Sequence, residues 1–211
     1  MILDLSNRGL TTLQGIDFPN KVTELIIYNN LLTSLEHCPQ GIQKLRCDFN
    51  QLTSLQYCPD NLQELYCSYN DLTSLQYCPK NLKKLWCNKN RLNSLNHLPK
   101  HLYLLHCGHN ELISLQGCHD SLKILYSDNN PLSPEYQNKS LDEIKLINYT
   151  KRFEQGINIV HSLIIDQKAR VIQRCWDQYW YKPNEQGISR HALQGIRITE
   201  QDGISIIDTY N

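Results

Sequence analysis

The chain has 211 residues, 40% of them hydrophobic, with 21 basic and 21 acidic side chains. That length accommodates one elongated core and a small terminal element, and excludes a second large domain. Balanced charge gives no global field toward nucleic acid or anionic membrane, so charge-driven recognition has to come from local patches. No stretch of about 18 apolar residues is present to span a bilayer, and Met1 to Arg8 lack the basic segment and apolar run of a secretory leader. A cytoplasmic protein without a membrane partner is expected.

Met1 to Pro19 hold Leu3, Leu5, Leu10 and Leu13 at spacings that recur more regularly up to residue 132. From residue 22 the frame Leu-x-x-Leu-x-Cys-x-x-Asn-x-Leu returns every 20 residues, with Asn30, Asn50, Asn70, Asn90, Asn110 and Asn130 in one column. The first unit is degenerate, with Arg8 in the asparagine column and two extra residues before the next copy. A unit of this size cannot bury its own apolar face, so stacked units must share one core. The asparagine amides are expected to satisfy backbone groups that burial leaves unpaired, a scaffold role. Pro39, Pro59, Pro79 and Pro99 oppose helix in the return segments, which predicts a mostly non-helical convex side.

Eight of the nine cysteines fall into two repeat columns. Cys47, Cys67, Cys87 and Cys107 take the inward strand position, and Cys38, Cys58, Cys78 and Cys118 take an apolar slot that Leu98 fills in one unit. The leucine identifies these thiols as small hydrophobes. His101, His106, His109 and His119 lie near Cys107 and Cys118, but strand alternation turns His106 away from Cys107, so no metal site and no cofactor are expected.

The 20-residue cysteine-proline repeat resembles that of bacterial effector leucine-rich-repeat proteins. The resemblance implies a leucine-rich-repeat solenoid of about seven coils over residues 1–132, with a parallel β-sheet on the concave face. Alternation along each strand makes the residue between the two inward positions face solvent. Down the stack that column reads Asp4, Ile26, Arg46, Tyr66, Trp86, His106 and Tyr126, and a neighbouring column supplies Phe49, Tyr69, Lys89 and His109. Exposed aromatics and arginine on a rigid surface dominate interface energetics. Arg46, Tyr66, Trp86, His106, Tyr126, Phe49, Tyr69 and His109 are therefore the expected partner-binding residues. The partner is expected to be a protein, since Glu24, Asp48, Glu64 and Asp128 oppose a phosphate track. A second line, His37, Tyr57, Tyr77 and His97, belongs to the convex side, where it is expected to cover the core edge.

Ser140 followed by Leu-Asp-Glu-Ile predicts a helix start, with the helix running to about Glu154. Apolar residues from Val160 to Trp180 recur at three and four, predicting a longer amphipathic helix that stops before Pro183. Residues 133–183 are expected to form an α-helical cap on the last coil, leaving 184–211 without a firm element. Ile172-Gln173 with Lys182 resembles the calmodulin-binding IQ motif, and Cys175-Trp176-Asp177 the catalytic motif of bacterial leucine-rich-repeat ubiquitin ligases. Asp177 and Gln178 break the first pattern, and the ligases' large catalytic domain has no counterpart here. The repeats together with Ile172-Gln173-Arg174-x-Trp176 resemble leucine-rich-repeat proteins of giant DNA viruses of amoebae. That resemblance implies a non-enzymatic adaptor or effector in a host cytoplasm or a virion; a monomer is expected.

Overall fold

The computed structural model describes residues 1–152, 154, 155 and 170. Met1–Arg152 form one compact unit. Its strands are Ile2–Asp4 (β1), Glu24–Ile26 (β2), Lys44–Arg46 (β3), Glu64–Tyr66 (β4), Lys84–Trp86 (β5), Leu104–His106 (β6) and Ile124–Tyr126 (β7). They form one parallel sheet in chain order. Leu3 pairs with Leu25, and Leu25, Leu45, Leu65, Leu85, Leu105 and Leu125 then pair successively, so the register steps by 22 residues once and by 20 thereafter. The fold is a leucine-rich-repeat solenoid, and its return segments contain turns and no helix.

Leucine and cysteine columns make the core. Leu25, Leu45, Leu65, Leu85 and Leu105 are fully buried, as are Cys47, Cys67, Cys87 and Cys107. Cys47 and Cys67 point their Sγ atoms at the Tyr66 and Trp86 carbonyl oxygens of the next coil, at 3.3 and 3.4 Å. The eight described cysteines are free and buried. Burial pushes the Cys38, Cys78 and Cys118 thiols up to about 12.

The asparagines bond coil to coil. Asn70 Nδ2 donates to the Cys67 carbonyl of its own coil and the Cys47 carbonyl of the preceding one, both at 3.1 Å, while its Oδ1 accepts from Leu52 N–H at 2.9 Å. Asn50, Asn90, Asn110 and Asn130 repeat this pattern. In the irregular first coil, Asn30 accepts from both Arg8 and Leu10 N–H groups. In place of the amide, Arg8 offers its own backbone N–H to Asn30 and its guanidinium to the Asp4 carbonyl at 3.3 Å.

Two further columns have left-handed backbone. Asn7, Asn29, Phe49, Tyr69, Lys89, His109 and Asn129 have φ between 53° and 58°. His37, Tyr57, Tyr77 and His97 have φ between 66° and 69°, and Gly15 holds 77° in the first coil. The second column is the third residue of a turn closed, in the coils of His37, Tyr57 and Tyr77, by Cys38 N–H to Leu35 O and its equivalents at 2.9 to 3.0 Å. Such turns favour glycine or asparagine there. In this line Tyr57 is 50% and Tyr77 56% exposed.

A helix over 141–152 (α1) follows the last coil. Ser140 Oγ accepts from Glu143 N–H, and the Glu143 carboxylate accepts in return from the Ser140 backbone N–H at 2.8 Å and from its hydroxyl, a capping box. These bonds, the backbone one foremost, lower the Glu143 carboxyl to about 2. Ile144 and Asn148, one turn apart, are buried. Asn148 Nδ2 donates to the Leu115 carbonyl at 2.9 Å, and its Oδ1 accepts from the Tyr136 hydroxyl at 3.0 Å. This side chain fastens α1 to the preceding coil. The longer helix, the IQ-like segment, Cys175 with Asp177, and residues 184–211 lie outside the described residues.

Candidate functional site

Four columns form the concave face. Next to each inward leucine, Glu24, Lys44, Glu64 and Lys84 alternate in sign and are joined by Lys44 to Glu24 at 3.2 Å, Lys44 to Glu64 at 3.8 Å and Lys84 to Glu64 at 2.8 Å. The hydrogen bond from Lys84 is the first cause holding the Glu64 carboxyl below its ordinary range. Leu104 and Ile124 continue the column without charge.

The central column stacks. Tyr66 and Trp86 lie face to face with ring centroids 4.1 Å apart and planes 7° apart. The Arg46 guanidinium sits 5.2 Å from the Tyr66 ring centroid, and His106 meets Tyr126 edge-on at 5.3 Å. This stacking corrects one expectation: Arg46, Tyr66, Trp86 and His106 are half-buried, and Tyr126 is exposed. Burial, ahead of the nearby Glu64 charge, pushes the Tyr66 hydroxyl up to about 12. Desolvation likewise lowers His106. Among the described residues, the buried side-chain polar atom without a hydrogen-bond partner is Arg46 Nε, occluded by this packing.

Beside it, Asp48 accepts from Ser68 N–H at 3.0 Å, and Ser68 Oγ donates to Asn88 Oδ1 at 2.5 Å. Burial raises the Asp48 carboxyl in spite of these bonds. The outermost column carries a second ladder, with Phe49 on Tyr69 at 4.0 Å and Lys89 Nζ 4.7 Å from the Tyr69 centroid. His109 Nε2 lies 3.7 Å from Asp128 Oδ2. The expected site residues thus form two parallel ladders, Arg46–Tyr66–Trp86 and Phe49–Tyr69, and a separate group of His106, Tyr126 and His109 toward the last coil.

Phe49 and Tyr69 occupy left-handed positions where Asn7, Asn29 and Asn129 stand in other coils. Bulky side chains pay about 1 to 2 kcal/mol each for that backbone. One stacked pair and one cation–π contact return about 1 to 2.5 kcal/mol in total, so at best the ladder offsets its own strain.

His101, His109 and His119 do not converge on a cysteine: His119 Nε2 sits 3.3 Å from the Leu98 carbonyl, and His109 faces Asn129 and Asp128. Among the described residues, no group of three or more His, Cys, Asp or Glu side chains is placed to hold a metal ion. None of the described helices is long and apolar enough to cross a membrane.

No protein-family model matches the chain, and no curated protein matches it by sequence. Solved structures do. YopM from Yersinia enterocolitica WA-314 is similar with a TM-score of 0.55 and 32% identity, over 63% of this chain and 30% of that one. A Shigella effector leucine-rich-repeat domain is similar with a TM-score of 0.53 and 26% identity, over 63% of this chain and 70% of that one. This chain matches less than a third of the YopM chain, and the likeness to effector leucine-rich-repeat proteins rests on the repeats.

Proposed function

We propose that the protein is a non-enzymatic protein-binding module whose concave face engages a partner through Arg46, Tyr66, Trp86, His106, Tyr126, Phe49, Tyr69 and His109. The observation that carries this reading is the pair of aromatic ladders, pre-ordered by stacking, on a sheet whose charges are mostly paired. Pre-ordering lowers the entropy lost on binding, and aromatic and arginine side chains are the usual anchors of interfaces. The mutual face-to-face stacking of Tyr66 and Trp86 presents ring edges outward, which suits protein carbonyls and aliphatic groups better than nucleic-acid bases that need a free ring face. A non-enzymatic role accords with the described cysteines, all buried and with thiols pushed up by desolvation, the reverse of an activated nucleophile. In this reading the solenoid ends near residue 132, α1 caps its last coil, and the monomer acts as an adaptor inside a host cell.

Affinity capture from host lysate, with wild type beside a Tyr66→Ala, Trp86→Ala variant, tests the site. A partner retained by wild type and lost from the variant is expected, with Trp86→Ala weakening binding by about 1 to 2 kcal/mol or more. Its cost to folding should be limited to the lost stack, about 0.5 to 1.5 kcal/mol. Equal capture of every partner by both proteins refutes the concave site.

A further inference from the structure

Overall neutrality conceals a local imbalance. Between Asp71 and Glu111 the chain has no carboxylate, yet it carries Lys80, Lys83, Lys84, Lys89, Arg91 and Lys100. Two of these charges are answered from the preceding coil, Lys84 by Glu64 and Arg91 by Asp71 at 3.0 Å. Lys80, Lys83 and Lys100 make no ion pair among the described residues, and all three are exposed.

The sheet edge where the chain enters β3 to β6 holds an open groove of about 730 Å³. Gln43, Asn61, Gln63 and Asn81 line one part of it with amides, and Lys83, Lys84 and His101 line the rest with cationic or titratable groups. Lys80 and Lys100 immediately precede the lining residues Asn81 and His101 in sequence. Lys83 is held by a single neutral contact, Nζ to Gln63 Oε1 at 3.2 Å. Asp60 precedes the lining residue Asn61 and Glu64 is engaged by Lys84 at 2.8 Å, so the unanswered charge along the groove is the positive charge of Lys80, Lys83 and Lys100.

We infer that this groove is a second binding site, separate from the concave ladders, and that it takes an acidic, extended peptide segment of a protein partner. Charge complementarity selects carboxylates over coils five and six. The amide row offers both donors and acceptors for a peptide backbone lying across the coils. The inference does not depend on the concave-face reading. A nucleic acid is disfavoured because three unpaired lysines make a short phosphate track and the groove has one aromatic platform, Tyr103.

Fluorescence anisotropy of the full chain with a short labelled glutamate-rich peptide tests this, against a glutamine-rich peptide and a single-stranded oligonucleotide of equal charge. The acidic peptide should bind, more weakly as salt rises. Lys83→Glu and Lys100→Glu should each weaken it about tenfold. The neutralising variants Lys83→Gln and Lys100→Gln should give smaller losses, with melting temperatures unchanged. Arg8→Glu in the first coil and Trp86→Ala on the concave face should leave peptide binding intact, which separates this site from the one proposed above. Absence of binding, equal loss in Arg8→Glu, or tighter binding of the oligonucleotide overturns the inference.

Discussion

Replacing Asn70 by alanine tests what holds the coils together. The amide accepts from Leu52 N–H at 2.9 Å, and no other bond serves that donor, so truncation leaves it buried and unpaired. The two carbonyls fare better, since Cys47 O still receives Asn50 Nδ2 and Cys67 O still receives Asn90 Nδ2. One orphaned donor costs about 1 to 3 kcal/mol. Two under-satisfied carbonyls and a small void add less, so about 2 to 4 kcal/mol is expected. Asn130 makes the same set of bonds but is only partly buried, and water can replace part of what it supplies. Asn130→Ala should therefore cost clearly less. Urea unfolding followed by circular dichroism at several wavelengths measures both; the comparison should use midpoints, because a stacked array need not unfold in one step. Equal losses at the two positions, or a loss below about 0.5 kcal/mol at Asn70, refute the view that these amides act through buried backbone partners.

Three further outcomes are expected. The Cys38, Cys78 and Cys118 thiols hold their protons to about pH 12, while those of the unfolded chain ionise near 9, so their contribution to stability is full below pH 9 and falls between 9 and 12; Cys78→Leu, matching Leu98 of the next coil, should reduce that slope in alkaline unfolding titrations. Tyr77→Asn should raise the melting temperature, because asparagine tolerates φ near 66° and Tyr77 has no ring contact among the described residues; Phe49→Asn should raise it less, because it also loses the Tyr69 stack. Asn148→Ala should speed amide hydrogen exchange around Leu115 to Cys118 and leave the first coils unchanged, since each coil of a solenoid leans only on its neighbours.

The repeat frame was legible because it is set by period: a leucine every 20 residues can reach a shared core in only one register, and Leu45, Leu65 and Leu85 sit where the columns placed them. Backbone handedness was harder to see. Asn7, Asn29, Asn129 and Gly15 signalled left-handed columns, but Phe49, Tyr69, Tyr57 and Tyr77 hid the signal, since such residues enter that conformation only when the fold enforces it. Half-burial of the central ladder was likewise hidden, because it depends on how Tyr66 covers Trp86 in the next coil and not on alternation within a strand. In the cap, Asn148 carried a readable clue: a polar residue four after Ile144, on the face that α1 turns inward, needs partners of its own. The basic groove escaped notice because whole-chain neutrality averages over a stretch of coils free of carboxylates.

The asparagine of each coil completes the turn of the coil before it: Leu32 waits for Asn50, Leu52 for Asn70, Leu72 for Asn90 and Leu92 for Asn110. On the ribosome this makes assembly lag synthesis by about one repeat, because a newly emerged coil keeps an unsatisfied amide until the next asparagine leaves the exit tunnel. The same dependence gives the stack a direction of growth. A copied repeat can be spliced into the interior with both its debts met by identical neighbours, whereas a chain cut after any coil leaves that coil's turn open; at the far end Asn130 closes the turn of Leu112, and Asn148 ties α1 back to Leu115.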